Sequence, residues 1–162
     1  MRSLRHRIAM ASIAFLVLLT VPATAFADMG FVGWGPRFGL SDDPDQGLIG
    51  AHFDLGEFAD NVRFRPSVEV GFGDDITSFL ANGLVAYYFD TNAKVDPYAG
   101  AQAVFAYFNF DDDIDDDSET ELGVDIVGGI EVAMKDNTRF LTELQIGFGD
   151  IHDFKLMVGW TF

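Results

Sequence analysis

The chain has 162 residues, of which 49% are apolar, 14% aromatic and 22% charged, enough for one folded domain and too apolar for a disordered tail. Seventeen phenylalanines, 17 glycines and no cysteine exclude a disulfide scaffold, a thiol redox site, a cysteine zinc site and a haem-attachment motif. A formal charge of -16 argues against binding nucleic acid or anionic lipid head groups by simple attraction, because both need a basic surface.

Residues 1–7 carry Arg2, Arg5 and Arg7, and the uncharged run Ile8 to Val21 follows, leading to Ala25-Phe26-Ala27 ahead of Asp28. A basic start, an apolar stretch and a small-x-small site predict a cleavable secretory signal over residues 1–27, cut after Ala27. The apolar run, at 14 residues, is short of the roughly 20 that a spanning helix needs. No cysteine follows it to accept a lipid. Residues 28–162 then form one domain in which seven basic residues face 26 acidic ones, with no candidate transmembrane helix.

From Asp28 onward, strand formers recur in eight runs separated by clusters of Asp, Asn and Gly, which predicts strands joined by turns. The runs cover 29–40, 46–56, 62–73, 76–89, 96–110, 120–134, 138–149 and 152–162. The first opposes Val32, Trp34, Pro36, Phe38 and Leu40 to Gly33, Gly35, Arg37 and Gly39. The second opposes Ile49, Ala51, Phe53 and Leu55 to Gly50, His52, Asp54 and Gly56. In the third, Phe64, Pro66, Val68, Val70 and Phe72 oppose Arg63, Arg65, Ser67, Glu69, Gly71 and Gly73. The fourth and fifth alternate least, since Gly83, Ala99, Ala101 and Ala103 share the apolar face if Asn82 and Gln102 lie on the polar one. The sixth sets Leu122, Val124, Ile126, Ile130, Val132 and Met134 against Gly123, Asp125, Gly129, Glu131 and Ala133. The seventh sets Phe140, Leu144, Ile146 and Phe148 against Arg139, Glu143, Gln145 and Gly147, with Leu141 and Thr142 on unexpected sides. In the eighth, Phe154, Leu156, Val158, Trp160 and Phe162 share one face.

A soluble sandwich also alternates, so the pattern alone does not choose an architecture. Glycine and charge do. Glycines recur on the polar face, where they weaken a solvent-facing strand but make room inside a narrow barrel. The same face carries five cations, Arg37, Arg63, Arg65, Arg139 and Lys155, and five anions, Asp54, Glu69, Asp125, Glu131 and Glu143. Balance in so acidic a chain predicts an enclosed ion network, with His52 as a further member, because an unpaired buried ion costs about 3 to 5 kcal/mol. Connections 1, 3, 5 and 7 hold fourteen acids from Asp42 to Asp153 and no Lys or Arg, whereas the turn lysines Lys94 and Lys135 lie in the even-numbered connections.

A secretory signal, eight amphipathic strands, short turns at one end and the terminal Val158-Gly159-Trp160-Thr161-Phe162 together resemble the small outer-membrane β-barrels of Gram-negative bacteria, the OmpA/OmpX-type group. The resemblance covers all of residues 28–162. It implies an all-β, eight-stranded antiparallel up-and-down transmembrane barrel in the outer membrane, with both termini periplasmic. It also implies outer-membrane lipid and the barrel assembly machinery as partners, the latter engaging Phe154, Leu156, Val158, Trp160 and Phe162. Closure leaves no strand edge that compels association, so the expected state is a monomer. Trp34, Tyr87, Tyr107 and Trp160 are candidates for the aromatic girdles. The acidic, short loops depart from those of adhesive members.

Eight strands enclose a space that side chains fill, which predicts a plugged barrel with an envelope role rather than a channel, and no catalytic residue. Two alternatives come from other classes. Because some barrels of this group act on lipid A, His152 between Asp150 and Asp153, with Ser41 or Ser118 as nucleophile, is the enzymatic alternative. A soluble exported barrel carrying an apolar ligand is the other, and it requires Arg37, Arg63, Arg65 and Lys155 to be exposed. No cofactor is expected beyond weak divalent-cation association at Asp111, Asp113, Asp115 and Asp117. That segment fails the EF-hand pattern, with Asp116 where glycine is needed and Leu122 in place of the closing Glu.

Overall fold

The computed structural model describes residues 29–91, 94–111, 116–149 and 151–162. Among these, the strands in chain order are β1 (Gly33–Asp42), β2 (Gln46–Asp54), β3 (Glu57–Ala59), β4 (Val62–Gly73), β5 (Ile76–Tyr88), β6 (Val95–Asp111), β7 (Asp116–Ala133), β8 (Arg139–Phe148) and β9 (Phe154–Thr161). The eight long strands pair antiparallel with their neighbours. β1 also pairs with β9, from Arg37 opposite Gly159 to Asp42 opposite Phe154, so the sheet closes into a barrel. β3 is a stub beyond Gly56 that lies against the start of β4, with Glu57 opposite Arg63, while β2 itself pairs with β4 from Gly47 opposite Phe72 onward.

The eight predicted runs and the eight barrel strands correspond one to one, and the run 62–73 is β4 to the residue. The departures have local causes. β2 stops at Asp54 because Gly56 takes a φ of 75°, turning the chain into β3. β6 and β7 run past their apolar stretches and keep register as far as Asp111 opposite Asp116. Ladder bonds are made by backbone, so pairing outlasts the apolar pattern that announces it. β9 starts at Phe154 rather than residue 152 because Ile151 and His152 are buried in the barrel mouth.

The Asp and Asn clusters fall where the backbone needs them. Asp74 and Asp75 close β4 onto β5, with Gly73 opposite Ile76 and φ of 59° at Asp75. Asn61, Asp136 and Asn137 also have positive φ, a region these short polar side chains tolerate better than others. The strand directions gather two kinds of ends. Residues 43–45, 74–75 and 151–153 and the ends of β6 and β7 at Asp111 and Asp116 gather at an acidic end, and the start of β1 and Phe162 lie at the other, terminal end.

Side chains alternate across the wall in the sense opposite to a soluble protein. Leu40, Leu122 and Phe148 point outward with 65%, 70% and 56% exposure, whereas Arg37 is 1% exposed and Lys155 and Glu143 are completely buried. Arg65 is buried too and Arg63 is about a quarter exposed. The arrangement that a soluble carrier requires, with these cations in water and the apolar face inward, is not the one adopted.

The polar interior is not polar throughout. The inward positions of β5 and, from Tyr98 to Phe110, of β6 carry no charge. They supply Leu80, Leu84, Ala86, Tyr88, Tyr98, Val104, Ala106 and Phe108 to two apolar clusters, along with the amides of Asn82 and Gln102. Here lies the cause of the weak alternation in the fourth and fifth runs: apolar residues line both faces of that wall.

Candidate functional site

The interior side chains build one connected set of ion pairs. At the terminal end, Arg139 lies 2.9 Å from Asp54 and 3.0 Å from Glu131, and Arg63 lies 3.5 Å from Glu131 and 3.8 Å from Asp54. Arg65 bridges inward from Glu131, at 3.6 Å, to Glu143, to which its Nη2 donates. Arg37 then meets Glu143 at 2.5 Å and Glu69 at 3.2 Å, and Lys155 Nζ donates to Glu69 at 3.1 Å. The chain of contacts joins β1, β2, β4, β7, β8 and β9. Strand alternation aims each of these residues inward, and closure brings together positions as far apart as Arg37 and Glu143, 106 residues away in sequence.

Asp125 stands apart from the five cations. Its partners are Gln102, which donates at 2.8 Å, and His152, whose Nε2 is 3.4 Å away. Two amides tie it to the network: Gln102 also donates to Gln145 at 3.1 Å, and Gln145 donates to Glu143 at 3.0 Å. The expected five-against-five balance is thus corrected to five cations held by Asp54, Glu69, Glu131, Glu143 and the exposed rim residue Glu57, 3.5 Å from Arg63. His52 is fully buried, but its Nε2 is 2.8 Å from Thr161 Oγ1 rather than bonded to a carboxylate.

The network also recruits groups outside the set of charges. Arg65 donates to the hydroxyls of Tyr88 and Tyr98 at 2.8 and 2.9 Å, and the Tyr98 hydroxyl donates to Glu143 at 2.8 Å. Arg63 lies over the Tyr88 ring at 4.4 Å, Arg65 over the Tyr98 ring at 4.9 Å, and the two rings stack at 4.8 Å. Parity with Asn82 and Gln102 is the sequence signal that turns these two tyrosines inward. Guanidinium planes that are both hydrogen-bonded and stacked are held more firmly than a lone ion pair holds them.

The acidic mouth is lined differently. Leu48, Leu80, Val104, Ala106, Phe108 and Met157 form an apolar cluster, and Ile151 from the β8–β9 turn completes it. His152 is buried beside it, and the turn is pinned by the Gly147 N–H donating to the Asp153 carbonyl at 3.1 Å and the Asp153 N–H to the Asp42 carbonyl at 3.2 Å. Two glycines make this insertion possible. A Cβ on Gly123 would sit 2.5 Å from Ile151 Cδ1, and one on Gly147 would collide with the His152 carbonyl.

His152 therefore faces Asp125 inside the mouth, and the base flanked by exposed carboxylates that its sequence neighbours suggested is not formed with Asp153, which is exposed. Asp150 lies outside the described residues. Ser41 donates to the Pro44 carbonyl at 2.9 Å, and Ser118 is exposed at the rim. Of the acidic segment proposed to attract cations, Asp113 and Asp115 lie outside the described residues and only the backbone of Asp111 and Asp117 is described. Among the described residues no group of three or more His, Asp or Glu is arranged to hold a metal ion. Ala25, Ala27 and Asp28 of the expected cleavage site also lie outside them. Of the expected girdle residues, Trp34, Tyr87 and Tyr107 are exposed on the outer wall, and Trp160 packs edge-on against Phe140 at 5.3 Å.

No protein-family model and no curated protein matches the chain. Solved structures do. The chain is similar to Neisserial surface protein A, at a TM-score of 0.66 and 14% identity over 80% of this chain and 93% of that one. It is also similar to the N-terminal β-barrel domain of OprF from Pseudomonas aeruginosa, at a TM-score of 0.62 and 16% identity over 82% and 98% of the two chains. What the chain shares with them is the fold of the small eight-stranded outer-membrane barrels.

Proposed function

We propose that residues 28–162 form an integral outer-membrane barrel that is sealed, not a pore and not an enzyme, and that serves the envelope structurally. The observation that carries this reading is the inversion of the wall. Large apolar side chains ring the outside while charges fill the inside. In water that outer surface is a vast exposed apolar patch, whereas in lipid it is the required covering of a closed hydrogen-bonded barrel. The termini then lie on the periplasmic side and the acidic end faces outward. Export by a signal cut after Ala27 belongs to the same proposal.

Two obstructions in series support the plugged interior, namely the ion network along the barrel and the apolar cluster capped by Ile151 at the acidic mouth. An envelope role without catalysis is supported by the inward position of His152 beside Asp125. Electrophoresis of the membrane fraction with and without boiling tests the barrel, since a closed barrel resists detergent and migrates compactly until heated. The heat-dependent shift belongs in the outer-membrane fraction, and an unshifted band in the soluble periplasm overturns the reading. In planar bilayers the purified protein gives no steady conductance; stable porin-sized steps refute the plug.

A further inference from the structure

Residues 28–162 contain seven basic residues, and five of them, Arg37, Arg63, Arg65, Arg139 and Lys155, are used by the interior network. The remaining two are Lys94 and Lys135, and both line the same open groove at the terminal end, together with Ala133, Met134, Thr138 and Trp160. In so acidic a chain, two lysines on one groove are cations that the interior network does not account for.

Backbone bonds fix the groove. The Ala133 N–H donates to the Lys94 carbonyl at 2.9 Å, stitching the β5–β6 turn to the end of β7. The Met134 N–H donates to the Thr138 carbonyl at 2.8 Å and the Thr138 N–H to the Lys135 carbonyl at 3.3 Å, closing the next turn. The backbone of both lysines is therefore fixed at the edge of one groove. That wall is amphipathic: Met134 is exposed and Trp160 is braced by Phe140. Among the described ion pairs neither lysine takes part. Asp90, Asp96 and Asp136 flank the two lysines in sequence, so these turns are not net positive as a whole and any preference must come from the two ammonium groups on the groove itself.

We propose that this groove seats an anionic phospholipid of the periplasmic leaflet, with its phosphodiester between Lys94 and Lys135 and an acyl chain along Met134 and Trp160. Ammonium groups bind phosphate as point charges, and an indole at the interface presents an apolar body to the chains and an N–H to the headgroups. The inference rests on the membrane placement proposed above.

The test is native mass spectrometry of the purified barrel in zwitterionic micelles with phosphatidylglycerol, phosphatidylcholine or soluble glycerol 3-phosphate, each sample also run with and without heating on a gel. Wild type retains phosphatidylglycerol over phosphatidylcholine, the double variant Lys94→Gln, Lys135→Gln loses that preference by on the order of tenfold, and glycerol 3-phosphate does not compete. Equal retention of the two lipids, or a preference that survives in the double variant, overturns the site while a heat shift in both proteins leaves the barrel standing. Effective competition by glycerol 3-phosphate also overturns it, because the acyl contact is then unnecessary. A wild type without a heat shift overturns the membrane reading and the site with it.

Discussion

The guanidinium of Arg37 and the carboxylate of Glu143 meet at 2.5 Å in the closed interior, and the same carboxylate also holds Arg65 and the Tyr98 hydroxyl. Glu143 is thus the hub of the network. Replacing it by Gln removes the charge that two buried arginines share while leaving Glu69 to Arg37 and Glu131 to Arg65. The expected loss is about 3 kcal/mol, read as a lower urea midpoint for unfolding from lipid vesicles. The control is Glu57→Gln, which breaks an exposed pair with Arg63 and changes stability by less than about 1 kcal/mol.

The outer wall makes an opposite demand. Leu144 lies on the outer face of β8 between Phe140 and Phe148, 40% exposed in the absence of lipid. A charge there is harmless in water and costly near the bilayer midplane. Leu144→Arg therefore lowers stability in vesicles by about 2 to 4 kcal/mol, whereas a change near zero places β8 outside the membrane.

At the acidic mouth, Gly147→Val forces the His152 carbonyl away and with it the Ile151 side chain from its cluster. The turn 149–153 then becomes the first site of cleavage under limited proteolysis, at a rate well above wild type. The heat-dependent gel shift persists, because the ladders between strands are untouched. Conductance stays absent, since the ion network still fills the barrel below the mouth.

The last residue separates assembly from stability. Phe162 is 62% exposed, and its backbone N–H donates to the Trp34 carbonyl at 2.9 Å. Phe162→Ala keeps that bond and removes only the side chain offered to the proposed assembly machinery. The amount reaching the outer membrane falls several-fold while the unfolding midpoint of protein refolded in vitro stays unchanged. A parallel loss of midpoint assigns the ring to stability instead.

Period-two alternation was enough to read eight strands and both faces of most of them, because in a barrel each residue's face is set by parity alone once the strand is located. Parity also put the five cations and four of their carboxylate partners on the inner face. It was least informative for β5 and β6, where Leu84, Val104 and Ala106 line the inside, and there only the structure shows which apolar residues pack inward.

By itself, then, the sequence determined the strand count, the inward charge and the chemical difference between the two ends, all of which are local or compositional. Tertiary structure decided who pairs with whom. That Asp125 meets Gln102 and His152 rather than an arginine depends on the stagger between strands. That Ile151 and His152 fold inward depends on the space left at Gly123 and Gly147. Partner choice inside a closed barrel is set by the height at which each strand delivers its side chains, and that height is fixed only when β1 meets β9 and the register of the whole ring is locked.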